Sequence, residues 1–447
     1  MRREVLLGII LVSIFLAMAA IAFPDGAAAL MVVIVFSLIF LGIFRHYSDD
    51  KEFITNIFLV GLILRLGFGI IVHFFNLRDF FGGDALTYDT RGYSLLLSWF
   101  GNSAFTFNTT DPGWGMYYVV GVLYAVVGRN ILAAQSLCAV IGAATAPTVY
   151  FCARSIFTNK SVAKNAALAV AVFPSFVIWS GQLLKDGFII FLLVLAITMV
   201  LALQERLNPL ALALLLLSVG GILTLRFYIF YMVAVAIVGS FVVGISNSPG
   251  SLVRRTMVLV VLGLGVTYIG ITRNATENIE RYGNFDQLQR SRSDLAQSAK
   301  SGFSEDTDVS SANGAISAIP VGFVYLMFAP FPWEVSSLRQ LITLPEVLLW
   351  WAMMPLLAYG MWWAIRHKLR SALPAMIFTL MLTLAYSIFQ GNVGTAYRQR
   401  TQIQVFLFIF IAVGWQLYKE RTADRKLIAL DKRRRFEHSL RARAEQR

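Results

Sequence analysis

The chain reads as long apolar blocks separated by short polar joints. Blocks lie near residues 5–23, 27–44, 53–75, 131–157, 165–180, 187–203, 210–225, 227–246, 256–272, 346–365, 374–390 and 402–418. Most approach the roughly 20 residues that a helix needs to cross a bilayer, and none alternates as a half-buried strand would. Two further blocks, 116–127 and 316–331, fit less well. The first ends after twelve residues at Gly128-Arg129; the second carries Pro320 and Pro330, with Pro332 just beyond, and proline interrupts a helix.

Cations assign the sides. Arg2 and Arg3 at one end and the basic segment 419–447 at the other both belong in the cytoplasm, which requires an even number of crossings. If 116–127 and 316–331 lie along the outer interface, then Arg154, Lys160, Lys164, Arg366, His367, Lys368 and Arg370 all fall inside, and twelve crossings result. The expected fold class is therefore an all-α polytopic membrane bundle with interfacial helices in two long outer loops. The expected organisation is two N-terminal helices in 1–52, a module in 53–272 whose first outer loop is 76–115, a long outer loop in 273–345, C-terminal helices in 346–418 and a cytoplasmic tail in 419–447.

Composition agrees and removes several functions. The 447 residues are 57% hydrophobic and 14% charged, with a mean hydropathy of +0.68, which excludes a disordered chain and an ordinary water-soluble enzyme. The net charge is +13, and the tail after Tyr418, with eleven Lys/Arg and five Asp/Glu, supplies +6 of it. Beside a membrane span such a tail faces anionic lipid, so membrane lipid and not nucleic acid is the expected partner. The four His and two Cys form no H-x-x-x-H or C-x-x-C arrangement, which argues against a zinc site.

The remaining chemistry collects on the outer side. In the first loop, Asp84 and Asp89 follow Gly82-Gly83, with Tyr88 four residues after Asp84 and so on its helix face. Two readings fit Asp84: a general base or ion ligand at the membrane interface, or a cap for the helix that begins after Gly83. Lys185 and Asp186 are the only charges between Lys164 and Glu205; they read either as functional groups or as an interfacial boundary pair. Arg65 stands within an apolar block and Arg226 between two. Tyr397, Arg398 and Arg400 follow Gly391 and Gly394, which allow close backbone approach. Arginines at the outer face suit a lipid-linked phosphate, and Arg273 opens the second loop.

These segments resemble the GT-C glycosyltransferases, in particular the branch that uses polyprenyl-phosphate sugars and includes protein O-mannosyltransferases and aminoarabinose transferases. The resemblance rests on Asp84-Ala85-Leu86-Thr87-Tyr88, on Gly113 to Tyr118 leading to Val127-Gly128, on Ala133-Ala134-Gln135, and on Pro174 to Trp179 followed by Lys185-Asp186. It spans residues 53–400 and departs where Asp84 is followed by Ala85 instead of a second acid. It implies a transferase that moves a hexosyl or pentosyl group from a polyprenyl-phosphate donor to a lipid, glycan or protein acceptor at the outer face of a bacterial inner membrane. Asp84, Asp89 and Asp186 would be catalytic, Lys185, Arg398, Arg400 and Arg273 would hold donor phosphate, and Tyr88 and Tyr397 would contact substrate. A divalent cation, Mg or Mn, is used by some members and not by others, and two separated carboxylates do not decide it. An envelope polysaccharide polymerase or ligase, and a lipid or glycan transporter, are the alternative readings.

Overall fold

The computed structural model describes residues 25–81, 84–101, 113–243, 256–261, 263–264, 284–297, 301–303 and 307–445, together with residue 13. All of the block at 5–23 but residue 13, most of that at 256–272, and Gly82, Gly83 and Arg273 lie outside the described residues. The helices used below are α1 (Asp25–Tyr47), α2 (Lys51–Phe74), α3 (Arg78–Phe81), α4 (Asp84–Trp99), α5 (Trp114–Val127), α6 (Ile131–Phe157), α7 (Lys160–Val172) and α8 (Pro174–Ser180). They continue as α9 (Asp186–Glu205), α10 (Pro209–Leu225), α11 (Phe227–Val243), α12 (Phe285–Gln297), α13 (Ala312–Phe328), α14 (Leu338–Phe389) and α15 (Val393–Glu445). Among the described residues there is no strand beyond one isolated bridge between Gly302 and Asn392.

Six helices are long and apolar enough to cross a membrane, and the bent pair α7–α8 makes a seventh if taken as one span. The chain is thus an integral, all-α membrane protein. Four of the expected crossings or interfacial blocks appear as shorter apolar helices, α5, α10, α11 and α13. The expected crossings at 346–365 and 374–390 form one 52-residue element with non-helical backbone at Lys368.

α6 is the axis of the bundle. Its sequence is rich in Ala, Gly, Ser and Thr, and nearly every residue from Leu132 to Tyr150 is buried. Small side chains let α1, α2, α7 and α9 approach its backbone closely, as packing within a bilayer requires. A methyl group at Gly142 would lie 2.4 Å from Ser180 Oγ, so the neighbouring chain passes where any larger residue would collide.

The block read as one span at 165–180 is two helices meeting at 55°. Pro174 supplies the reason: it has no amide hydrogen, so the carbonyl four residues earlier, that of Val170, loses its donor. Arg65 replaces it. Its Nη2 donates to Val170 O at 3.3 Å, its Nη1 to Ala171 O and Gly61 O at 3.0 Å each, and its Nε to Ser180 Oγ at 2.8 Å. Although Arg65 is 1% exposed, it faces no carboxylate; its charge is held by backbone dipoles. Asparagine caps at Asn130, Asn159 and Asn208 fix the starts of α6, α7 and α10 by accepting amide hydrogens of their first turns.

Replacing Arg65 with Met strips the donors from these buried acceptors, and a cost on the order of 3 kcal/mol is expected. A melt of the detergent-solubilised protein measures it, and an unchanged midpoint would show that the break is held without the arginine.

Candidate active site at the converging helix ends

Three helix beginnings meet at one end of the bundle. Asp84 is the first residue of α4, Asp186 the first of α9, and Arg398 lies in the second turn of α15. The first turn of a helix carries partial positive charge, which favours a carboxylate there. Arg398 joins the two acids: its Nη1 donates to Asp84 Oδ2 at 2.7 Å, while its Nε and Nη2 donate to Asp186 Oδ2 at 2.8 and 2.5 Å. Its guanidinium also lies 5.4 Å from the centre of the Trp179 ring.

The two carboxylates have different surroundings. Asp186 is fully buried; its Oδ1 makes no hydrogen bond among the described residues and has Arg226 Nη2 at 3.7 Å. The Asp84 side chain is 48% exposed, and its second oxygen has no partner among the described residues. One carboxylate is therefore enclosed among cations, and the other is half-exposed.

Lys185 stands beside this bridge. It is 8% exposed, yet its ammonium has no hydrogen-bond or ion-pair partner among the described residues. A methyl group at Gly113 would lie 2.7 Å from Lys185 Nζ and 3.4 Å from Tyr88 Oη, so both polar ends rest against this glycine's backbone, at φ 85°. Burial lowers the Lys185 pKa to about 7, the nearby Arg226 and Arg398 charges push it the same way, and Asp186 and Asp84 oppose them. Burial, with the Asp84 charge adding to it, raises the Tyr88 phenol, which stays a neutral donor.

Asp84, Tyr88, Lys185, Asp186 and Arg398 thus come together. Asp89 does not join them. Five residues beyond Asp84 it points about 140° around α4, where Tyr124 Oη and Arg129 Nη2 donate to it at 2.7 and 2.6 Å. Arg400 is fully buried, with Nη1 donating to Met327 O and Ala329 O at 3.0 Å each, and does not face the cluster. Tyr397 donates its hydroxyl to Glu346 Oε2 at 2.7 Å. Arg273 lies outside the described residues.

Sequence reasoning noted Arg226 only as an isolated charge, yet it lines the site and reaches Tyr386 Oη at 3.5 Å, which in turn donates to Gln402 Oε1 at 2.6 Å. Its isolation between two apolar blocks was the available signal. Glu346 was missed, although an acid directly after Pro345 at the edge of an apolar block is an equivalent cue.

A resident Mg or Mn would need several oxygen ligands. Both nearby carboxylates already accept from Arg398, and no group of three or more His, Cys, Asp or Glu suited to a metal occurs among the described residues. The residues as arranged do not fit such an ion.

Two solved structures of ArnT are similar to this chain. Both are from Cupriavidus metallidurans, one bound to undecaprenyl phosphate and one in the apo state. Identity is 15% in each case, with TM-scores of 0.47 and 0.44. The matches cover 78% and 76% of this chain but only 62% and 56% of the ArnT chains. No protein-family profile and no curated protein matches.

The Lys185 environment gives a pH signature. The unfolded chain keeps this proton up to the ordinary value of 10.5, whereas the folded chain releases it near 7, so between these values the unfolded state binds more protons and stability rises with pH. Lys185→Met is expected to stabilise the protein most at pH 6, with the gain shrinking toward pH 10 in parallel melts. A pH-independent difference would contradict the assignment.

Proposed function

We propose that the chain is a membrane glycosyltransferase that moves a sugar from a polyprenyl phosphate to a hydroxyl or amine acceptor. The reading is carried by the buried Lys185 side chain, whose ammonium has no partner among the described residues, beside two arginine-bridged carboxylates. With Lys185 protonated, the ammonium and the Arg226 and Arg398 guanidiniums outnumber Asp84 and Asp186 by one positive charge, which a lipid phosphate would neutralise. The order of motifs that resembles GT-C enzymes supports the same reading, and the cation distribution supports an extracytoplasmic position for the site.

In this mechanism Asp84 is the base. Arg398 holds its Oδ2, which orients the open oxygen toward the acceptor. The acceptor O–H or N–H gives its proton to Asp84 as its lone pair attacks the anomeric carbon. The bond from that carbon to phosphate oxygen breaks, and polyprenyl phosphate leaves with the electron pair. Lys185 stabilises the charge that grows on the departing phosphate in surroundings poor in water, where fixed cations act most strongly. Asp186 and Arg226 position Arg398 and Lys185. Tyr88 is placed to donate to a phosphate or sugar oxygen near Lys185.

Asp84→Asn keeps the shape and a hydrogen-bond acceptor for Arg398 but removes the base. It is expected to lower transfer from a polyprenyl-phosphate sugar by about 10²–10⁴-fold at unchanged expression and melting midpoint. Wild-type transfer by this variant would sink the assignment. Lys185→Met should weaken polyprenyl phosphate binding by about tenfold or more, the worth of one lost charged contact near 1.4 kcal/mol, read by tryptophan quenching or lipid pull-down. Equal binding would place the phosphate elsewhere.

A further inference from the structure

A cavity of about 330 Å³ opens between the start of α15 and the residues around α13 and the start of α14. That volume falls within the roughly 300–1,000 Å³ typical of small-ligand sites. Its aromatic wall is Phe303, Tyr325 and Phe331; its polar groups include Glu334, Ser336 and Gln340.

The wall is held from several directions. The Phe303 amide donates to Gly391 O at 2.9 Å and the Val393 amide to Ser301 O at 3.0 Å, pairing the loop with the turn before α15. Arg292 Nη1 donates to Ile388 O and Gln390 O at 2.7 Å each, and Arg400 ties down Met327 O and Ala329 O on the opposite side. Phe303 stacks on Tyr325 with ring centres 4.2 Å apart, and Phe331 meets the edge of Tyr325 at 5.4 Å. Arginines spent on backbone carbonyls fix these rings before any ligand arrives, which lowers the ordering cost of binding.

The polar groups are also set. Gln340 Oε1 accepts from the Ser336 amide at 2.8 Å and the Ser336 hydroxyl at 3.1 Å, leaving the Gln340 amide NH₂ as the end available to donate. Tyr325 Oη donates to Glu334 Oε1 at 3.3 Å, and the carboxylate keeps capacity to accept more. An aromatic face beside a carboxylate and an amide suits a ligand with apolar C–H faces and a hydroxylated edge. A lipid tail would leave the polar groups without water or partners.

We infer that this cavity is a sugar-binding subsite for the acceptor, a specificity element that rests on the transferase reading. Gln340, which lines it, follows Arg339, whose Nη2 donates to Asp79 O at 3.1 Å, five residues before Asp84. A sugar there would sit next to the unit that reacts, so the acceptor would be glycosylated already or would itself be a glycan.

The test is saturation-transfer NMR on the full-length protein in detergent, with free glucose, mannose, galactose and N-acetylglucosamine as probes. At least one is expected to show transfer to its ring protons. Glu334→Gln and Phe331→Ala, each verified by its melting midpoint, should weaken that binding about tenfold while polyprenyl phosphate binding stays intact. No transfer to any of the four sugars, or equal transfer in both variants, would overturn the subsite. Sugar binding without any glycosyl transfer would overturn the transferase reading and leave the cavity a sugar site with no acceptor role.

Discussion

Inside an apolar bundle, a backbone carbonyl that loses its amide donor has no water to replace it. Pro174 creates that situation in the middle of a span, and Arg65, reaching across from α2, resolves it. The rest of the site follows from this exchange. Because the break is held, α8 leaves α7 at 55° and brings Ser180 and Gly181 against α6 and α2, from which the short turn to Lys185 and Asp186 departs. Arg65 therefore determines where two charged groups stand without touching either.

The same rule of compensation sorts the other charges. Asp50 pairs with Lys164, Asp89 with Arg129 and Glu346 with Tyr397, and each pair fastens two elements. Arg292 and Arg400 each aim Nη1 at carbonyls near helix ends, while their Nε and Nη2 have no hydrogen-bond partner among the described residues. Apart from these, the bridge from Asp84 through Arg398 to Asp186, with Lys185 beside it, gathers five charged groups, Arg226 included, where three helix beginnings meet.

Much of this was legible in the sequence. Apolar block lengths gave the helical membrane class and most helix positions, and the rarity of charges between Lys164 and Glu205 drew notice to Lys185 and Asp186. Asp89 was expected beside Asp84 as a catalytic acid, although its five-residue spacing on a helix already turns it away from that face. What the sequence could not show were contacts between residues hundreds of positions apart: Arg398 reads as a phosphate ligand until its two carboxylate partners are seen, and Arg400, two residues later on the helix, faces the α13 carbonyls instead. The break at Pro174 carried the same proline signal as the block at 316–331, but the span was read as continuous because its apolar run is unbroken by charge. Arg65 looked like a functional charge because its partners are carbonyls that every residue possesses.

The distribution of the bridge along the chain has a consequence for synthesis. Asp84 and Asp186 enter the membrane early, but the guanidinium that joins them belongs to the final helix. Until α15 is inserted, Asp186 is an acid in apolar surroundings whose strongest partner has not been made. The bridge therefore closes only when α15 packs against α4 and α9, and before that step the buried acid is a local instability that exposes the chain to membrane quality control.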